Sequence, residues 1–259
     1  MSDCKCVCSF IVSGIVRCTV RWMLLFSLAV IPWAAAWGGE STAHIEIKLY
    51  EMGSTQLLYE GSRQEITGDE TVTVRTQYRK PGGKTIQSIE TVYGKRTLAL
   101  ISHQLEDLRS GLREKIVHAE GKVKIEFRED AKEELETEEL RWERNMAVSM
   151  TIVPLLRSRW ADVQAGKEVE IELLVPSRQE AITFILKKDS AATVKGQAVT
   201  VIIMEPDSFI IRLLVDPLFF YMADAAPHRL LQYKGRTSVK KDDGDDQDLR
   251  VEYSFGGSK

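Results

Sequence analysis

Four histidines, two acidic runs and a late cluster of large apolar side chains are the residues that could carry chemistry. His44, His103, His118 and His228 are scattered and follow no H-E-x-x-H spacing. A metal centre needs two or three such ligands to converge, so each reads as a surface or structural histidine. The chain has no G-x-S-x-G, no G-x-x-x-x-G-K and no G-x-G-x-x-G. It therefore has no motif for a serine nucleophile, a phosphate cradle or a dinucleotide site. Paired carboxylates for glycoside hydrolysis need a set separation, which cannot be picked out among 38 Asp and Glu. The expectation is a protein that is not an enzyme, with no catalytic residue, no metal and no cofactor. A hydrolase would need several of these histidines and carboxylates in one cleft.

The run Asp242-Asp243-Gly244-Asp245-Asp246-Gln247-Asp248 crowds carboxylates around a glycine. Its spacing is not that of an EF-hand loop and no glutamate closes it, so it supports weak millimolar calcium binding at most. Residues 240–248 are expected to be an acidic solvated loop. Glu133, Glu134, Glu136, Glu138 and Glu139 form the other acidic run, read as a hydrated face with a partner-binding face as the alternative.

Trp142, Trp160, Phe184, Phe209, Phe219, Phe220 and Tyr221 are either an ordinary core or the wall of a cavity. A curved sheet around a single helix need not fill its interior, and such interiors hold apolar ligands. The candidate cavity residues are Leu156, Trp160, Phe184, Ile211, Leu213 and Phe219. Arg178 and Arg229 either form cross-strand pairs with Glu180 and Glu205 or, if they converge, suit a carboxylate or phosphate headgroup.

The elements that must position these residues are mostly strands. Ile45, Ile47 and Leu49 alternate with Glu46 and Lys48; Val72, Val74, Thr76 and Tyr78 share a face. Pro81-Gly82-Gly83 turns the chain into Ile86–Val92. Thr97–Leu108 and Leu112–His118 pair across Ser110-Gly111, and Val123, Ile125 and Phe127 follow Gly121. Leu140, Trp142, Met146, Val148 and Met150 keep one parity. Then the period changes: Pro154 to Gly166 holds Leu156, Trp160 and Val163 at helical spacing, with proline suited to the start and glycine to the stop. Strands resume at Val169–Val175, Ile182–Leu186 and Val194–Met204. Phe209–Val215, apolar on both faces, is expected to be a strand covered on both sides. Leu218–Met222, Leu230–Tyr233 and Leu249–Phe255 complete the set. The fold expected is mainly β, an antiparallel meander forming a curved half-barrel around one short amphipathic helix.

With 259 residues, 44% hydrophobic and 28% charged, the chain has the composition of a folded protein. A net charge of -3 lacks the clustered positive field that nucleic acid requires. All four cysteines lie within the first 18 residues. Arg17 and Arg21, the apolar run Trp22–Ile31 and Ala34-Ala35-Ala36 make a secretory signal peptide with cleavage near Ala36. Met23 is a second candidate start. Residues 1–36 are then a signal peptide and 37–259 a single β-rich domain, free of cysteine, exported to the periplasm.

Pro154-Leu155-Leu156 through Trp160, Gly166-Lys167, Val175-Pro176-Ser177-Arg178 with Phe184, Met204 to Ser208, Leu213 to Asp216-Pro217 and Arg229 to Arg236 together resemble a set of exported bacterial proteins of unknown function. The resemblance covers roughly residues 140 to 237. In layout that family is similar to the periplasmic lipoprotein carriers (lipoprotein localisation factors) and their outer-membrane receptor. It implies an antiparallel half-barrel, capped by helices, around an apolar cavity that takes acyl chains. The single helix found here departs from the several that a carrier's lid uses. The reading is a periplasmic binding or carrier protein of the cell envelope, whose partner is a lipid or an acylated protein. The alternative is a structural or protein-interaction module with a filled core.

Overall fold

The computed structural model describes residues 40–256; the expected signal peptide and its cleavage point lie outside them. Eight strands follow one another as an antiparallel meander: β1 (Ser41–Glu51), β2 (Leu57–Thr67), β3 (Thr71–Arg79), β4 (Thr85–Gly94), β5 (Leu100–Asp107), β6 (Arg113–Ala119), β7 (Lys122–Arg128) and β8 (Glu136–Arg141). A second series contains β9 (Met146–Ala147), β10 (Val169–Val175), β11 (Glu180–Val194), β12 (Gln197–Pro206), β13 (Leu218–Ala223), β14 (Leu230–Arg236) and β15 (Asp248–Phe255). β15 pairs antiparallel with β1 from Ile45↔Phe255 to Glu51↔Leu249. The two series thus join at their outer ends in one 15-stranded sheet, ordered β8 to β1, then β15 to β9. The sheet is not closed into a barrel; it is the expected curved half-barrel.

Alternating burial explains most strands. In β1, Ile45, Ile47 and Leu49 are buried and their neighbours exposed; parity of this kind fixes the register, because a one-residue slip would turn the apolar set to solvent. Two hairpins turn on two residues of positive φ ending in glycine, Glu120-Gly121 and Lys195-Gly196, the conformation that matches strand twist. Register shifts at Leu49/Tyr50, Tyr78/Arg79, Val92/Tyr93, Lys188/Ser190 and Tyr221/Met222 bend the strands and help curl the sheet.

The helical insert lies between β9 and β10. It begins with a 3-10 turn at Ser149–Thr151, continues as α1 (Ile152–Ser158), breaks at Arg159 (φ -105, ψ 14) and ends as α2 (Trp160–Gln164). The helix expected to start at Pro154 starts two residues earlier. Pro154 still falls in the first turn, where its missing N–H is no loss. Gly166 (φ +77) terminates the insert: its N–H bonds to Val163 O and that of Lys167 to Asp162 O, both at 3.0 Å. Ile152, Leu156 and Val163 are buried against the concave face of the sheet.

Three expectations are corrected. Phe209–Val215 is not a covered strand. It contains a short helix, α3 (Phe209–Arg212), and Phe209, Ile210, Leu213 and Leu214 are 71%, 71%, 70% and 78% exposed. An apolar run with no period cannot be assigned by pattern alone; here Arg212 donates to the carbonyls of Pro206 and Asp207 and folds the segment back on its own start. The strand expected over Leu140–Met150 is divided between β8, β9 and the 3-10 turn, and half of the acidic run 133–139 belongs to β8. β2 was not foreseen, because Gly61 and Arg63 occupy inward positions where the pattern calls for apolar residues.

β15 lies in the middle of the sheet although it is last in the chain. A chain ending at Gln247 exposes the paired edges of both β1 and β14. It is expected to lose its cooperative thermal transition in far-ultraviolet circular dichroism; a retained transition would contradict this topology.

Candidate functional site

The two wings of the sheet curve toward each other and α1 sits between them. Between them opens a cavity of about 500 Å³, within the range of about 300–1,000 Å³ typical of small-molecule sites. Leu49, Tyr78, Ile89, Leu105 and Phe127 line it from the first series, and Leu173, Phe220, Leu230, Tyr233, Val251 and Tyr253 from the second. Ile152 and Val153 of α1 cover it. Tyr78 reaches this position because Gly61, opposite it on β2, has no side chain: a Cβ there would lie 2.8 Å from Tyr78 Cδ1.

Arg63 is the charged group set deepest in this wall, 6% exposed. Its cross-strand neighbours are Ile45 on β1 and Thr76 on β3. Nε donates to Thr76 Oγ1 at 3.1 Å, and the guanidinium lies 5.2 Å from the centroid of the Tyr253 ring. Nη2 is buried and has no hydrogen-bond partner. Burial works against the charge of Arg63; Tyr253, Tyr78 and Glu65 act the other way, and its pKa stays above the ordinary arginine value. Burial pushes Tyr78 up to about 12 and raises Tyr253 as well. At neutral pH both are therefore uncharged phenols, and neither neutralises the positive charge of Arg63.

The segment between β14 and β15 forms one rim of the cavity through Thr237, Ser238, Lys240 and Asp246. Residues 241–246 are exposed, as expected of a solvated loop, but both ends are anchored. Val239 is fully buried. Gln87 donates to Ser238 O at 2.8 Å, and Gln247 donates to Val239 O at 2.9 Å and to Tyr59 Oη at 3.2 Å. Lys240 pairs with Glu129, and Asp242 with Lys80 and, at 3.2 Å, Arg109. These contacts strap the C-terminal series to β3, β4 and the β5–β6 turn. Asp246 and Asp248 bond to Arg236 at 2.7 and 2.9 Å. Three of the five carboxylates that suggested a calcium loop, Asp242, Asp246 and Asp248, thus face cations.

The residues singled out from sequence lie elsewhere. Leu156 is fully buried and Phe184 5% exposed, and neither lines the cavity. Trp160 is half-buried and stacks on His228 with ring centroids 4.2 Å apart. Phe219 is on the face of β13 opposite Leu218 and Phe220, which line the cavity. Ile211 and Leu213 belong to the outward α3 segment. That segment is the correction with the largest effect, since a strand there would have brought them inside. Arg178 is exposed and faces Glu180 at 3.5 Å, whereas Arg229 lies over the Phe255 ring at 4.7 Å, so the two do not share a contact. Of the histidines, His103 is buried against Thr91 (2.8 Å) and near Glu114 (3.8 Å), and His118 stacks on Trp142. Arg63 was missed, although an arginine two residues from Gly61 in the parity of Tyr59 carried the signal.

No protein-family model matches this chain, and no curated protein matches it. Solved structures that resemble it include three of bacterial origin. One is a β-barrel-like protein of the domain of unknown function DUF1849 from Brucella abortus, with 10% identity and a TM-score of 0.46 over 85% of this chain and 98% of that one. Another is a putative outer membrane lipoprotein-sorting protein domain from Vibrio parahaemolyticus, with 9% identity and a TM-score of 0.25 over 85% and 87%. The third is a DUF1329 family protein from Desulfovibrio piger ATCC 29098, with 9% identity and a TM-score of 0.22 over 85% of each chain. The similarity is one of fold.

The exposed tip of the strap, unlike its buried ends, is held by ion pairs, so its attachment is separable from global stability. The Lys80 hydrogen bond, aided by Arg109, holds Asp242 below the usual carboxylate range. A depressed carboxyl pKa stabilises above the unfolded value and is lost as pH falls through the folded one. Asp242→Asn is expected to leave the thermal unfolding midpoint nearly unchanged, since exposed pairs add little to global stability, and to speed tryptic cleavage after Lys240 or Lys241 several-fold. Cleavage at the wild-type rate would show that the pairs do not hold the strap.

Proposed function

We propose that this protein is a non-catalytic binding or carrier protein of the cell envelope and that the interior cavity takes a lipid-like ligand, free or attached to a protein. The single observation that carries this reading is an apolar-walled space of about 500 Å³ in a core that close packing would otherwise fill. Aliphatic and aromatic side chains make up most of its wall, and polar ones, among them Arg63, His103, Glu114, Glu129 and the rim residues Lys240 and Asp246, complete it; an apolar lining with placed polar groups is the composition of small-molecule sites. Export to the periplasm follows from the expected signal peptide.

A second reading, a protein-interaction module, is favoured by one specific feature. Four large apolar side chains on and beside α3 face solvent, and contiguous apolar surface of this kind often marks a contact site.

Native mass spectrometry of the protein purified without detergent tests the first reading. A bound amphiphile is expected, released by organic extraction. Leu173→Trp, which places an indole in the cavity, is expected to remove that adduct and to weaken binding of the probe 1-N-phenylnaphthylamine at least about tenfold, or 1.4 kcal/mol, with the circular dichroism spectrum unchanged. Unaltered probe binding would move the ligand site away from the cavity and leave the exposed α3 surface as the functional one.

A further inference from the structure

A buried guanidinium with an unused donor is a costly arrangement unless something completes it. A buried charge left without its partner costs several kcal/mol in typical proteins, and native structures leave few buried polar atoms unsatisfied. Among the described residues, Arg63 Nη2 is the one buried side-chain nitrogen or oxygen without a hydrogen bond. The other cations around the cavity differ from it: Lys240 is paired with Glu129, and Arg236 with Asp246 and Asp248.

The surroundings of Arg63 are positive overall. Arg157 approaches from α1 and shares a small void with Arg63, Glu65, Tyr93 and Tyr253. Arg157 donates to His228 O at 3.2 Å, and burial holds its pKa below the ordinary arginine value. Glu65 is the one carboxylate lining that void. Burial also pushes Tyr93 up to about 12, so its hydroxyl adds no negative charge at neutral pH. Two arginines against one glutamate leave an excess positive charge where water is largely excluded.

Resting on the cavity reading above, we infer that Arg63 is the polar end of the site: its free Nη2 receives a carboxylate or phosphate oxygen of a single-chain anionic amphiphile whose tail fills the cavity. Thr76 fixes the guanidinium through Nε and the Tyr253 ring supports its face, so the free donor is held in place before the ligand arrives. Such a charge-assisted hydrogen bond is short and strong. It would distinguish anionic from neutral amphiphiles of the same chain length, because a neutral hydroxyl can accept from Nη2 but brings no charge, and its hydrogen bond is the weaker one.

Calorimetric titration of the full chain with dodecanoate, dodecyl phosphate and 1-dodecanol tests this, at mildly alkaline pH and below their micelle concentrations. At least one anion is expected to bind about tenfold or more tightly than the alcohol, and the tighter of the two anions identifies the headgroup. Arg63→Met is expected to abolish the difference while the alcohol still binds, which also shows that the cavity is intact. Equal binding of all three ligands to the wild type, or an unchanged preference in Arg63→Met, overturns the inference and leaves the cavity reading standing. Failure of all three to bind overturns the cavity reading itself. If Arg63→Met does not fold, the wild type decides. The carbon-13 signal of carboxyl-labelled dodecanoate in the complex is expected to titrate below its free value, and titration at the free value overturns the inference.

Discussion

The antiparallel pairing of β1 with β15 is the contact on which the remaining structure depends. It joins strands near the two ends of the described chain, and every other strand is placed by counting outward from it. The pairing is specified by side chains: Ile45, Ile47 and Leu49 on β1 meet the parity set of Leu249, Val251 and Tyr253, all buried. Closing so long a loop has an entropic cost that grows only slowly with length, so the sequence separation is compatible with stability while it slows folding. From this central seam the two series diverge, and their far edges, β8 and β9, are neighbours in the chain.

That geometry produces the cavity. Two curved wings share one seam, and α1 between them prevents the inner faces from meeting. Large side chains do not fill the remaining space, because several are tyrosines whose hydroxyl groups seek polar partners: Tyr59 accepts from Gln247, and Tyr233 donates to Arg236 O at 2.6 Å. The strap across the rim makes the strand ends of the two series one structural unit. Arg63 is a product of the same plan, since β2 lies next to the seam and its inward positions face the centre of the hollow.

Much of the fold was legible in the sequence and little of the site. Strands with one buried face announced themselves by alternation, as in Val123, Ile125 and Phe127, and the helical insert by its proline and glycine. Phe209–Val215 misled because an apolar run broken only by Arg212 reads equally as a covered strand or as an exposed apolar segment. β2 was hidden by the two residues that matter most to the cavity, a glycine that admits a tyrosine ring and an arginine that needs a partner. Leu156 and Phe184, expected to line the cavity, are buried but do not border it, because period and parity do not say which interior positions pack solidly and which border a space. That depends on pairing across strands distant in sequence.

The edge strands have a consequence for how the protein behaves in a crowded compartment. An open sheet of 15 strands has two unpaired borders, each a template for a neighbouring chain. β9 is two residues long and pairs in parallel with β10, too short a border to recruit a foreign strand. β8 is longer, but it carries Glu136, Glu138 and Glu139 on an exposed backbone. A second copy approaching edge to edge would set these carboxylates against their equals. The acidic run thus opposes edge-to-edge pairing at the longer of the two borders.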